Sequence, residues 1–473
     1  MLAIFPISSY DTWWILAAGE RMLETREVLR TGIGSWTRAS APYAYHGWMF
    51  AILTAVCHRI AGEWGLILLR SLLAGCCFLF LGLASMARGA RGAGILLLPG
   101  LALILGYTNL FWPVRPQSAS QTLLALTLLL MSWSHLAGWS RCLTMTSLTV
   151  VWANLHGGVL LGIAVLWIIV IGENLDSLRR GVAHWRSMRT PDVKLLLFGS
   201  MGCLLTPYGY TGILSALRHI RGEAVATLPL EWSTPRIADF PIFLLLLAIT
   251  AAGVLASFLT NRMRWIDPLL FLFFSLMGLK AVRYLAIASM GLSFVGSACW
   301  VTVLGEHHFK GRREKFGIIA AMVVIMLLLW RGVGRDQWLF HGGWNPGRPL
   351  PVGAVDFMSR NQIVQGVFNP YEWGGYLIWR FQPDNAAFID GRIDLYPQEL
   401  VRDYLAVQDG NPGWRTILNR YSVQVILWRN GPAGARLLQA LECDQTFIPI
   451  YKDPVATVYV RKNGQYQRFV KSG

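Results

Sequence analysis

The sequence predicts a polytopic α-helical membrane protein of about ten crossings with a C-terminal soluble α/β domain, and three observations predict it. Only 14% of the 473 residues are charged while 54% are hydrophobic, against about a quarter charged in soluble domains. The stretches 92–110 and 241–259 contain no charge, and each is long enough to cross the hydrocarbon core. Beyond residue 331 the pattern changes to short strand-like runs separated by helical ones, the alternation of a small α/β unit.

The N-terminal portion, 1–64, reads as a stub followed by a first external loop. Ten residues precede Asp11, too few to cross a membrane, and no signal peptide pattern is present. Helical signals fall in "DTWWILAAGERMLETREVL" and "HGWMFAILTAVCHRI". Both are apolar on one face, as interfacial helices are.

Crossings follow near 65–87, 92–109, 118–137, 142–153, 158–172, 195–207, 241–259, 267–279, 284–304 and 316–330, making 65–331 the transmembrane domain. Between Cys142 and Gly172 the only ionisable residue is His156. One straight helix over that run would be about 46 Å long, well beyond a core of about 30 Å, so the reading breaks it at "ANLHGG" (153–158). With the break, fourteen Lys and Arg fall on one side, from Arg88, Arg91 and Arg141 to Lys315, and six on the other, Arg115, Arg218, Arg221, Arg236, Lys280 and Arg283. The positive-inside rule makes the first side cytoplasmic and places both 1–64 and the tail outside. The same rule accounts for the net charge of +16 and argues against a nucleic-acid partner.

A Gly/Pro-rich linker, 332–350, leads into the tail domain, 351–473. Its expected strands are "VQGVFN", "AAFIDG", "VQVILW", "TFIPIY" and "ATVYV"; its expected helices are "QELVRDYLAVQ", "GWRTILNRY" and "ARLLQALE". "EWGGYLIW" suits a tight turn into a helix. Six of the seven cysteines lie in or beside apolar segments, Cys443 stands alone, and no pair suggests a disulfide or a metal site.

Ionisable groups at membrane depth are functional candidates. Arg115, His156, Glu231, Lys280 and Arg283, with Asn154 beside His156, all fall at external helix ends. Arginine grips phosphate oxygens bidentately, so this surface suits a lipid-linked phosphate, and a carboxylate such as Asp11 suits proton removal from a hydroxyl. The plainer readings stay open. Arg115, Arg283 and Lys280 serve equally as snorkelling residues, His156 as a hydrogen-bonded helix break, Glu231 as a counter-ion and Asp11 as a helix N-cap. Trp13, Trp14 and Trp232 suit an interfacial aromatic belt. In the tail, Asp390, Arg392 and Asp394 of "FIDGRIDLY" read first as a turn closed by an Asp–Arg pair, since D-x-x-x-D alone is weak evidence for a metal.

Taken in order, "DTWWILAAG", "GSWTRASAPYAYHGWMF", "RPQ" (115–117), "NLHGG", "TPYGY", "EW" (231–232), Arg283 and "EWGGYLIW…FIDGRIDLY" resemble the GT-C membrane glycosyltransferases. The likeness is to the bacterial branch related to protein mannosyltransferases and lipid A aminoarabinose transferases, and it spans nearly the whole chain. It implies a multi-pass protein of the bacterial inner membrane, its tail extracytoplasmic. The donor would be a polyprenyl-phosphate sugar and the acceptor an envelope glycan, lipid or protein. Asp11 would be the general base, and Arg115, Lys280 and Arg283 would hold the donor phosphate. No metal ligand is assigned, and metal dependence stays open. The chain departs from the pattern in lacking a full helix before the first loop, and in having Ile15 and Gly47 where a His and a second acid are usual. Those departures define the alternative: an inactive GT-C-like scaffold or accessory subunit binding a protein partner through its external domain.

Overall fold

The computed structural model describes residues 7, 9–90, 113–133, 138–181, 190–221, 233–236, 239–304 and 349–469. In chain order the helices are α1 (Asp11–Thr25), α2 (Trp48–Ala87), α3 (Pro116–Ser132), α4 (Gly138–Leu155), α5 (Val159–Arg179), α6 (Thr190–Met201), α7 (Tyr210–Arg221), α8 (Pro241–Leu259), α9 (Ile266–Lys280) and α10 (Leu285–Leu304). The tail follows with α11 (Val352–Arg360), β1 (Val367–Phe368), α12 (Gly374–Arg380), α13 (Gln398–Gln408), α14 (Trp414–Arg420), β2 (Val425–Arg429), α15 (Ala435–Glu442), β3 (Phe447–Lys452) and β4 (Ala456–Arg461). These residues form two compact units. One takes those in 64–217 and 226–304, the other those in 7–63, 218–225 and 349–469. Helix α2 contributes to both, and its backbone leaves the helical region at Ala61 and Gly62.

Among the described residues, four helices are long and apolar enough to cross a membrane: Trp48–Ala87, Val159–Arg179, Pro241–Leu259 and Val282–Leu304. The chain is a helical membrane protein. Two of the expected crossings, 92–109 and 316–330, lie outside the described residues. The run 142–172 does break, with α4 ending at Leu155 and α5 starting at Val159. The core is a continuous apolar cluster that includes Leu124, Trp152, Val165, Leu246, Phe274 and Leu292.

Hydrogen bonds and ion pairs between neighbouring helices sort the two ends of this unit. At one end Arg141 on α4 grips Glu173 on α5 through two bonds of 3.1 and 2.8 Å. Trp265, just before α9, donates its amide to Asp176, Arg88 pairs with Asp267 at 2.7 Å, and Arg262 donates to the carbonyl of Thr302 on α10. Helices α5 and α9 therefore run antiparallel, and the start of α5, the end of α9 and the start of α10 share the opposite end.

The second unit holds a four-stranded sheet in the order β1-β2-β4-β3. β1 pairs parallel to β2, and the other neighbours are antiparallel. The three tail helices expected from the sequence all form, and α11 adds one that was not expected. "AAFIDG" is not a sheet strand. Ala387 bridges Ser35 of the first loop instead, with Trp36 N donating to Ala387 O and Ala387 N to Gly34 O. Helix α1 turns its apolar side into protein. It buries Trp13, Ile15, Leu16, Ala17, Ala18 and Met22, and Trp13, Leu16 and Ala17 join one core with Ala55, Met358, Leu377, Leu427 and Val458.

The paired glycines of "EWGG" make that packing possible. A side chain on Gly374 would overlap the carbonyl of Ile389 and come 2.7 Å from Asp390 Cα. One on Gly375 would come 3.1 Å from the carbonyl of Tyr10 and 3.2 Å from the amide of Trp14. Helix α12 thus lies directly against both the start of α1 and the "FIDGR" segment.

Candidate functional site

Asp11 is the first residue of α1, one position past the cap, which falls at Tyr10. An acid in the first turn complements the helix dipole. Its Oδ1 accepts a 3.1 Å hydrogen bond from Trp14 Nε1, one turn later on the same helix. The carboxylate occupies the space over Gly391, where any Cβ would overlap Asp11 Oδ1 and come 3.3 Å from Trp14 Nε1. The Arg392 guanidinium lies 5.8 Å from the Trp14 ring and 5.8 Å from the Tyr43 ring. The first-loop acid and the tail motif, singled out separately in the sequence, therefore meet.

The tail side of this site is a buried ion pair. Arg392 donates to Asp390 from its backbone N (2.8 Å), Nε (2.8 Å) and Nη2 (2.6 Å). Its other donors reach Tyr45 Oη at 2.9 Å and the carbonyl of Ile33 at 2.7 Å, and Tyr396 donates to Asp390 Oδ2 at 2.5 Å. Both side chains of the pair are 0% exposed, so removing one partner would leave an uncompensated buried charge. Burial alone would lower the Arg392 guanidinium, but Asp390 against it wins and holds it well above its ordinary range. Tyr43, Tyr45 and Tyr396 are all pushed up, first by burial. Asp394 stands outside the pair. Burial raises its carboxyl to about 6, and Tyr43 Oη donates to it over 3.4 Å. With Asp390 engaged by arginine and tyrosine, D-x-x-x-D is not a pair of open metal ligands.

The helical unit supplies the other candidates. Arg115 is the extended residue that precedes α3, with Pro116 at the first helical position. Ser120, one turn on, meets His156 Nδ1 at 2.7 Å and accepts from Trp152 Nε1 at 2.6 Å. Gly158 is required there, since a Cβ would fall 2.6 Å from both His156 Nδ1 and Ser120 Oγ. Lys280 ends α9, exposed. Arg283 lies in the 3-10 turn Val282–Tyr284 that leads into α10, its guanidinium 5.9 Å from the Tyr284 ring. Arg115, His156, Lys280 and Arg283 therefore share one end of the unit. Asn154 is corrected as a phosphate ligand: its Nδ2 donates to the carbonyls of Val150 and Leu205, at 2.8 and 2.9 Å, which uses both amide hydrogens. Trp13 is corrected as a belt residue. It is 3% exposed, with Trp379 at 4.6 Å and Tyr376 at 5.3 Å. Glu231 and Trp232 lie outside the described residues.

No protein-family model matches the sequence, and no curated protein matches it. Among solved structures, the chain is similar to the oligosaccharyltransferase of Archaeoglobus fulgidus in its apo form. The TM-score is 0.60 at 11% identity, over 98% of this chain and 71% of that one. The chain shares the fold of that oligosaccharyltransferase. ArnT from Cupriavidus metallidurans is also similar, apo and bound to undecaprenyl phosphate, at 14% and 13% identity over 97% of this chain and 94% of theirs. Those TM-scores, 0.46 and 0.45, are too low to carry an argument.

Within this fold, the two departures from the expected pattern have local explanations. Ile15 is 2% exposed on the packed face of α1, and Gly47 accepts the amide of Ala51 in the first turn of α2. The sequence reading missed Ser120, Trp152, Tyr43, Tyr45, Tyr396 and Gly391. Gly391, between two expected site residues in "DGR", was the legible signal. Ser120 and the tyrosines carry no local pattern that marks them.

Proposed function

We propose that this chain is a membrane glycosyltransferase that moves a sugar from a polyprenyl-phosphate donor to an envelope acceptor at the outer surface of a bacterial inner membrane. It would have about ten crossings and an external tail. Asp11 is the general base, and Arg115, Lys280 and Arg283, with His156, hold the donor phosphate. The GT-C fold supports this reading, and the observation that carries it is the seat of Asp11. A carboxylate at a helix start, only partly buried, held by an indole N–H and faced by a glycine, is oriented as a general base needs to be.

In the reaction the acceptor O–H loses its proton to Asp11 as its oxygen bonds to the anomeric carbon. The bond from that carbon to the phosphate oxygen breaks, and the electron pair leaves with the phosphate. Cations at the phosphate stabilise the charge it gains.

The test uses the full chain in lipid vesicles with a panel of labelled polyprenyl-phosphate hexoses and pentoses and an envelope extract as acceptor. Asp11→Asn should insert and fold normally and lose transfer by roughly 100- to 10,000-fold. Wild-type transfer by that variant would remove Asp11 from the mechanism.

A further inference from the structure

We propose that the Asp390–Arg392 turn of the tail is a positioning device for the Asp11 carboxylate, acting through Trp14. This deepens the reading of Asp11 as base and rests on it. The turn acts in two ways. Gly391 leaves the space the carboxylate occupies, because any side chain there would overlap Asp11 Oδ1. Arg392 lies against the Trp14 ring at 5.8 Å, and Tyr45 is a second neighbour, with centroids 6.5 Å apart. Arg392 is itself tied by Asp390, Tyr45 and the Ile33 carbonyl and 1% exposed. An indole packed against a tied guanidinium and a tyrosine loses rotational freedom, and its Nε1–H points at Asp11 Oδ1 at 3.1 Å. Trp14 is thus a positioning residue, and the ion pair is the anchor behind it. Burying that pair is costly, and the anchoring role gives the cost a use.

A hydrogen bond to an ionised carboxylate favours the ionised form. Trp14→Phe keeps an aromatic ring beside Arg392 and Tyr45 but removes the donor. Gly391→Ala keeps Trp14 and displaces the carboxylate from its seat. Both changes leave Asp390, Arg392, Asp394, Tyr43, Tyr45 and Tyr396, the titratable groups around the site, in the sequence.

The experiment follows the Asp11 carboxyl by infrared difference spectroscopy on full-length protein containing isotope-labelled aspartate, with the Asp11 band assigned by its loss in Asp11→Asn. Both variants are expected to titrate Asp11 at a higher pH than the wild type, while the Asp394 band stays in place. Unchanged titration of Asp11 in both variants, with the fold intact by circular dichroism, would overturn the proposal. A merely structural Trp14 would lower the thermal midpoint without moving the band. The transfer assay is independent: a shifted band together with full transfer by Asp11→Asn would reject the base and keep the contact.

Discussion

Asp394 has its carboxyl in partly buried surroundings that favour the protonated form, and this makes a pH dependence predictable at the residue scale. Burial raises it from the ordinary 3.8 to about 6. The folded state therefore binds the proton more tightly than the unfolded chain. The stability it contributes is full below about 3.8 and is lost as pH rises through about 6. Asp394→Asn preserves an acceptor for Tyr43 and removes the titration. Relative to the wild type, the variant should gain about 1–2 kcal/mol between pH 4 and pH 7, with partial exposure discounted. Denaturation midpoints measured across that range test this. His46, which burial pushes down to about 4, titrates in both proteins and cancels in the difference. A constant difference between variant and wild type would reject the assignment. At this scale the sequence was informative about identity and silent about company. Asp11, Asp390, Arg392 and Asp394 stood out as charges in apolar surroundings. That Arg392 closes on Tyr45, 347 positions away, is a long-range fact with no local signature.

At the scale of elements, periodicity located the helices well. α13 and α15 have the bounds of the patterns that predicted them, and the break between α4 and α5 followed from length alone. It erred where an element's partner decided its role. "AAFIDG" has a strand's composition but joins the first loop, and α1 has an amphipathic pattern that suits a membrane surface and a protein core equally. What distinguishes the two is α12, whose glycines admit α1 and the "FIDGR" segment at backbone distance. Gly374→Ala tests that contact. Its Cβ would meet backbone, the Ile389 carbonyl and Asp390 Cα, neither of which yields as a flexible side chain would. The expected loss is about 1–3 kcal/mol, the usual range for overpacking, read as a lower thermal midpoint. It should be accompanied by protease sensitivity in the first loop as well as the tail. Cleavage confined to the tail would mean that α1 does not depend on α12.

At the scale of the whole molecule, the helical unit is electrically lopsided, and that sets a direction. Among the described residues, Arg88, Arg141, Arg179, Arg180, Lys194, Arg262 and Arg264 gather where the ion pairs of α4, α5 and α9 lie, while Arg115, Arg236, Lys280 and Arg283 lie at the other end. By the positive-inside rule the richer end is expected in the cytoplasm, which would turn Arg115, His156, Lys280 and Arg283 outward. Only cysteine chemistry on one face at a time is needed to check it. In a cysteine-free background, single cysteines at Lys280 and Arg236 should react with a membrane-impermeant maleimide on intact cells, and cysteines at Arg180 and Arg262 should react only after permeabilisation. The reverse pattern would place the cationic helix ends in the cytoplasm and exclude a donor whose sugar is presented at the outer surface. A cysteine at Asp409, whose side chain is 38% exposed, then reads the tail's side directly. Its labelling on intact cells would put the unit that carries Asp11 outside, on the face where the proposed transfer takes place.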